Sequence, residues 1–487
     1  MEFFDDKEFE EIGFSYILQK LEVLTPYGEE EKHCIHFFSS AESEKLMYEL
    51  ENLELMKVNF EKNPFLFSEL EAVMMKIKNI RGSIARCRNS MTLDEVELFE
   101  IKNFSMLSQN FKNIFEKTKV KLKKIKLNSL EDVIDLLDPE SRGIPTFSIY
   151  ESYSEKLKAI RREKDELEKS IIKNIGTDDE EKLRKQRLEV VVQEEAEERS
   201  IREKLSRKIS AELDKLEENM SFIGKIDFIL AKVKLAEEYI SVKPLFISES
   251  IYFKELLNPK LKDSFMKKNK KFTSITIELS KGTTILTGAN MGGKTVALKT
   301  IVLNLYLAHC GFFVFGKEAR MPFLDYIYFI FQDMQSDKSG LSSFGGEIIK
   351  LKQIITDAEG KIGFAALDEF SKGTNPSEGT NLVKAVAEYF NDKRSMTIVA
   401  THYDGIANEA MEHYEVVGLK NVKLEELRKN IYKSSADAVD MIQHHMDYTL
   451  EKVEGTHRTP REALNICRLL GLQKDILDRV QDNYDEL

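Results

Sequence analysis

The spacing of apolar residues changes character twice along the 487-residue chain. In the first third, "FSYILQKLEVL", "SEKLMYELENLELMKVNF" and "ELEAVMMKIKNIRGSIARC" place apolar residues three and four apart, the spacing of amphipathic helices. The turn-rich "DPESRGIPTF" at 138–147 ends that region. Residues 148–243 are densely charged and still helical in period, with Leu205, Ile209, Leu213, Leu216, Met220 and Ile223 at coiled-coil spacing. Gly176 and the Asp178–Asp179 pair mark a turn between two antiparallel helices. This hairpin reads equally as a solvated structural element and as a lever. From 244 the pattern becomes strand, loop, helix. "FTSITIELSKGTTILTG" alternates as a strand does, and "TVALKTIVLNLYLAHCG" has helical spacing up to Gly311. The predicted organisation is α + α/β: a helical core over 1–147, a long antiparallel helical lever arm over 148–243, an α/β domain over 244–418, and C-terminal helices over 419–487, the last two flanking Gly471.

Composition refines this picture in three places. Charged residues make up 32% of the chain, with nine prolines and no tryptophan, which suits exposed helix. The net charge of −12 excludes a molecule attracted as a whole to nucleic acid, so duplex binding would rest on two basic runs, "KTKVKLKKIK" at 117–126 and "NPKLKDSFMKKNKK" at 258–271. Four cysteines, Cys34, Cys87, Cys310 and Cys467, lie apart with no C-x-x-C pair. They read as reduced, buried thiols of a cytoplasmic protein. The acidic start "MEFFDDKEFEE" has no secretory pattern, and the apolar run 296–315 is interrupted by Lys299, Asn304 and His309, so no membrane association is expected.

The chemistry concentrates between 285 and 402. Gly288, Ala289, Asn290, Met291, Gly292, Gly293, Lys294 and Thr295 have the spacing G-x-x-x-x-G-K-[ST]. Such a loop curls its N–H groups around phosphates at a helix N-terminus, with the lysine reaching the β- and γ-phosphates and the threonine reaching Mg²⁺. A strand-like "GFAAL" then ends in Asp368, suited to holding Mg²⁺, and Glu369, suited to polarising a water. A further apolar strand, "MTIVA", ends in Thr401 and His402, a group able to sense the γ-phosphate. A glycine turn can match by chance and a lone histidine is usually a surface residue. Three such elements in this order at strand ends make ATP the expected ligand.

These segments resemble the MutS family. "TGANMGGKT" is similar to its T-G-P-N-M-G-G-K-[ST] loop, "LDEFSKGTNPSEG" to its D-E-x-x-x-G-T-x-x-x-[DE]-G segment, "ATHY" to its A-T-H-Y switch, and "GLSSFGGE" at 340–347 to its G-x-S-T-F-x-x-E signature. The resemblance implies an ABC-type P-loop ATPase that uses ATP and Mg²⁺. Gly288 to Val296 would form the phosphate cradle, Thr295 and Asp368 the metal ligands, and Lys294, Glu369 and His402 the catalytic groups. Phe272 lies where the family places an aromatic against adenine. It also implies a homodimer, or a heterodimer with a related subunit, in which Ser342 and Ser343 approach the partner's γ-phosphate; from the residues alone these serines read as a helix cap. The chain departs from the family pattern at "LLNP", 256–259, in place of Arg-His-Pro. No mismatch-reading, clamp or C-terminal nuclease domain is expected. Two functions follow: a DNA-mismatch-repair-related ATPase that binds duplex weakly as an ATP-gated dimer, or an ATPase that remodels a protein partner, acting as reactivating factor of an adenosylcobalamin-dependent aminomutase of the lysine 5,6-aminomutase type.

Overall fold

The computed structural model describes residues 3–247, 249–288, 293–331, 343–420, 445–453 and 462–485, together with residues 422, 427 and 442. In chain order the elements begin with helices α1 (Asp6–Ile12), α2 (Phe14–Lys20), α3 (Pro26–His33), α4 (Ser43–Lys62), α5 (Pro64–Met74), α6 (Arg81–Arg88) and α7 (Glu95–Lys117). Helices α8 (Glu131–Leu137), α9 (Glu155–Lys173), α10 (Asp179–Ser210) and α11 (Leu213–Glu238) follow. Then come β1 (Ile251–Leu256), α12 (Pro259–Lys267), β2 (Ile275–Leu279), β3 (Gly282–Thr287), α13 (Lys294–His309), β4 (Glu318–Arg320) and β5 (Tyr326–Ile330). The chain continues with α14 (Ser343–Ala358), β6 (Gly363–Asp368), α15 (Pro376–Asn391), β7 (Met396–Ala400), β8 (Glu412–Gly418) and β9 (Asp447–Lys452), and ends with α16 (Glu462–Leu469) and α17 (Lys474–Asp485). Contacts divide it into two units, one of Met1–Leu21, His36–Glu51 and Lys234–Leu487, the other of Glu22–Ile35 and Asn52–Val233.

The second unit is helical for local reasons. Asp94 and Glu97 form a capping box at the start of α7, whose Leu98, Ile101, Phe104 and Phe111 are buried. Within this apolar interior Lys102 is neutralised by Asp138 at 3.0 Å and bonds the Thr146 carbonyl at 2.9 Å. Ser154 caps α9, and the chain turns through Gly176 at φ 81° before α10 packs back on α9. Arg161 ties the pair together through Glu194 at 3.0 Å and Glu198 at 2.8 Å. The apolar run from Leu205 to Ile223 is buried, yet it is not one continuous seam. Helix α10 stops at Ser210 and α11 restarts at Leu213, so these side chains fill the interior of the unit from two helices.

The first unit is built on a six-stranded sheet of order β5-β6-β7-β3-β8-β9. The neighbours are parallel except β8 and β9. Every residue of β3, β5, β6 and β7 is buried, as in parallel strands covered on both faces. Helix α13 is apolar almost all round and buried over most of its length, which its lack of a polar face dictates. A smaller antiparallel sheet, β2-β1-β4, completes the unit.

Two segments differ from the sequence reading. Residues 1–21 and 36–51, read there as part of the helical core, belong with the sheet. The reason is aromatic: Phe4, Phe9 and Phe14 surround Tyr306 of α13 at 5.4, 5.4 and 5.0 Å between ring centroids, and Glu11 pairs with Lys299 of the same helix. The C-terminal segment, read as helical throughout, contains strand β9. Its residues 447–452 extend the sheet antiparallel to β8 and present both faces at an edge, so their apolar content is too low to announce a strand.

His309 closes α13 in full burial. Its Nδ1 donates to the Leu305 carbonyl at 2.9 Å and its Nε2 accepts from Leu324 N at 2.9 Å, while its ring stacks on Phe37 at 5.1 Å. Burial pulls its pKa from 6.5 down to about 4, so the folded protein holds it neutral. The unfolded chain binds the proton first as pH falls. Stability should therefore be unaffected by this group above pH 6.5 and fall by roughly 3 kcal/mol between 6.5 and about 4. Urea midpoints across that window check it: His309→Gln, which keeps a donor and an acceptor without titrating, should flatten the slope.

Candidate nucleotide site

Three parallel strands deliver the candidate groups to one end of the sheet. β3 leads into the glycine loop, β6 ends in Asp368, and β7 ends two residues before His402. The carboxyl ends of such strands, where the connections diverge, are where open α/β sheets bind ligands. Gly288 at φ 130° and Gly293 at φ 89° bound the loop in conformations that other residues avoid. A Cβ on Gly288 would meet Val416 at 3.0 Å, and one on Gly293 would meet the Tyr448 ring at 2.9 Å. Ala289, Asn290, Met291, Gly292 and Ser342 lie outside the described residues, and Ser343 opens α14.

Lys294 is the first residue of α13, and its Nζ reaches back to the Gly288 carbonyl at 2.6 Å, spanning the loop it would share with phosphates. Asp368 is buried. Burial raises its pKa, while a hydrogen bond from Thr295 and the Lys294 charge oppose the rise. Its Oδ1 is shielded from solvent and has no hydrogen-bond partner. An unsatisfied buried carboxylate oxygen beside a threonine hydroxyl fits a small hard cation such as Mg²⁺. Among the described residues no cluster of three or more His, Cys, Asp or Glu forms a metal cage, so most of such an ion's ligands would come from phosphate and water.

Glu369 follows at φ 48°, its backbone N–H donating to the Ala400 carbonyl at 3.0 Å and its carboxylate paired with Lys372. His402 is held below its usual pKa by burial, against an opposing pull from the Glu369 charge, and its Nδ1 is buried without a partner. A neutral imidazole with an open nitrogen can meet a γ-phosphate oxygen or a water.

Beside Gly293, Lys294, Thr295 and Val296 opens a cavity of about 290 Å³ with apolar walls of Phe265, Phe272 and Tyr448. Phe265 and Phe272 lie 6.1 Å apart between ring centroids. The structure thus brings Phe272, Lys294, Thr295, Val296 and Glu369 to one cavity, with Asp368 bonded to its Thr295. Sequence reasoning missed Phe265, hidden in a lysine-rich run, and Tyr448, which arrives on β9 from a segment read as helix. Lys270 lies close enough to act electrostatically on Tyr448, so the basic run at 258–271 borders this cavity.

A family model described as MutS domain V matches residues 284–486. The chain is 32% identical over 221 residues to the Endonuclease MutS2 of Acetivibrio thermocellus, a match covering 44% of this chain and 27% of the relative. It is 33% identical over 228 residues to that of Carboxydothermus hydrogenoformans, covering 45% and 28%. With that of Staphylococcus epidermidis it is 31% identical over 308 residues, covering 57% and 39%. The chain thus spans less than half the length of the relatives it matches. The family-model match runs through the glycine loop, both strand-end motifs and the strand that carries Tyr448, and over residues 284–486 the chain is similar to MutS domain V.

Proposed function

We propose that the chain binds and hydrolyses ATP in a Mg²⁺-dependent reaction and that, as a two-subunit assembly, it couples this cycle to duplex DNA. The observation that carries the reading is the convergence of Lys294, Thr295, Asp368, Glu369 and His402 on one end of the sheet beside an aromatic-walled cavity. The loop and the α13 N-terminus would hold the α- and β-phosphates, with Lys294 exchanging its Gly288 partner for β/γ oxygens. Mg²⁺, when bound by Thr295, Asp368 and phosphate, neutralises charge on the β- and γ-oxygens. Glu369 orients and deprotonates the attacking water, and His402 presents its open nitrogen to the γ-phosphate side. Ser342 and Ser343 of a second copy would complete the site.

The cavity wall gives a first test. Phe272→Ala and Tyr448→Ala should each weaken ATP by about 1–3 kcal/mol, the usual scale for losing a base–aromatic stack. A triphosphate without a base should bind both variants as it binds the native protein. Equal ATP affinity in either variant removes that ring from the site.

Duplex DNA is favoured over a protein substrate by the relatives, which are named endonucleases. A specific surface is also available. In the run 117–126, Lys117, Lys119, Lys121, Lys123, Lys124 and Lys126 are exposed while Val120 and Leu122 between them are buried, so six ammonium groups face solvent from one short segment. Labelled duplex titrated with and without ATP at two salt concentrations should show affinity on the order of micromolar or weaker at physiological salt. Charge reversal at Lys119, Lys121 and Lys126 should lower the salt slope by about three. Absence of duplex binding, with ATP turnover stimulated by an aminomutase, would replace this reading by the remodelling one.

A further inference from the structure

The turn that carries Glu369 has an unusual backbone. Glu369 at φ 48° and Ser371 at φ 66° both occupy the left-handed region, two non-glycine residues within three positions. Such a turn persists only where its surroundings hold it. Part of the support is local: Lys372 N–H donates to the Glu369 carbonyl at 3.2 Å, Thr374 N–H to the Ser371 carbonyl at 3.2 Å, and the two hydroxyls of Ser371 and Thr374 lie 3.0 Å apart. Among the described residues, two hydrogen bonds tie the turn's backbone N–H groups to elements outside it. On one side Glu369 N–H is fixed to β7 through Ala400. On the other, the Ser371 N–H donates at 3.0 Å to Oε2 of Glu347.

Glu347 is a buried carboxylate with 5% relative exposure, on α14 one turn beyond Ser343. A carboxylate is costly to bury, and here it is spent on one backbone N–H of a fully buried serine. Helix α14 is in turn tied to the N-terminal segment: Lys350, the next charged residue along it, pairs with Glu8 and lies 5.7 Å from the Phe4 ring centroid. The position of α14 is thereby written into the turn that aims Glu369.

We propose that Glu347 is a positioning residue for hydrolysis: by holding Ser371 N–H it keeps Glu369 in its left-handed turn and makes the aim of Glu369 depend on where α14 sits. This rests on the reading of Glu369 as the group that activates water. Glu347 needs no contact with nucleotide in this role, so its loss should reach turnover and spare binding.

The experiment measures kcat and, separately, ATP affinity with a fluorescent nucleotide, on the full chain. Glu347→Ala should lower kcat at least tenfold with Kd changed less than twofold. Glu347→Gln, whose amide oxygen can still accept from Ser371 N–H, should hold kcat within threefold of the native value. Ser371→Gly placed in the Glu347→Ala background should recover part of the lost kcat, because glycine adopts that φ without support. Native kcat in Glu347→Ala, equal losses in the Ala and Gln variants, or a Kd rising in step with the fall in kcat would each overturn the proposal. Should Glu347→Ala fail to fold, Glu347→Asp, which withdraws the acceptor by one methylene, is read in its place with the same two outcomes. Glu369→Gln is measured alongside. If it is inactive and Glu347→Ala is not, the proposal alone falls; if Glu369→Gln turns over at the native rate, the reading of Glu369 falls and the proposal with it.

Discussion

Glu369→Gln is expected to bind ATP as the native protein does and to hydrolyse it about 10²–10⁴-fold more slowly, the usual contribution of a positioned general base. The substitution preserves shape and removes only the basic oxygen. The groups that would hold nucleotide, Lys294, Thr295 and Asp368, are separate side chains and stay in place. The pair with Lys372 weakens when the carboxylate becomes an amide, but Glu369 N–H remains on the Ala400 carbonyl, so the turn keeps its anchor. Single-turnover hydrolysis with saturating ATP isolates the chemical step. A rate equal to the native one would assign water activation elsewhere, with His402 the next group to change.

Lys294→Ala acts earlier and should abolish ATP binding at ordinary concentrations. Its ammonium is buried, already spans the loop to Gly288, and would trade that neutral carbonyl for charged phosphate oxygens. Hydrogen bonds to charged groups are worth about 1.5–3 kcal/mol each, and two lost together correspond to about 10²–10⁴ in affinity. Calorimetric titration reads this directly. A variant that binds within a few-fold of the native protein would mean that the loop N–H groups and the helix end suffice without the cation. Far-ultraviolet circular dichroism should be unchanged, since the side chain is removed from a loop mouth and leaves the strands β3, β6 and β7 paired as before.

The parts of this site legible in the sequence are those where local chemistry is demanding. A phosphate loop needs glycines at 288 and 293 because the backbone turns through positive φ there, and a strand end needs Asp368 where a cation would sit. Those requirements leave a spacing behind. Tyr448 left none: β9 is a partly exposed edge strand, so no apolar alternation marked it, and its place beside Gly293 depends on pairing with β8 across a long stretch of chain. Glu347 could be read as part of a motif but not as the partner of Ser371, because nothing local joins residues 24 positions apart. The membership of the first 21 residues was hidden for the same reason: amphipathic spacing says which face is buried and not against what. The charged hairpin was legible in outline, with its turn at Gly176 where the glycine and aspartates predicted it.

The aromatic packing of the N-terminal helices on α13 has a consequence for how the protein is made. Phe4, Phe9 and Phe14 are synthesised about 300 residues before Tyr306, and at roughly 5–20 residues per second they wait on the order of tens of seconds for their partner. Throughout that interval these three phenylalanines lack the α13 side chain they pack on. Residues 4–14 are thus made early and packed only once α13 follows them. In that interval the segment is open to chaperones, to proteases and to the wrong neighbour.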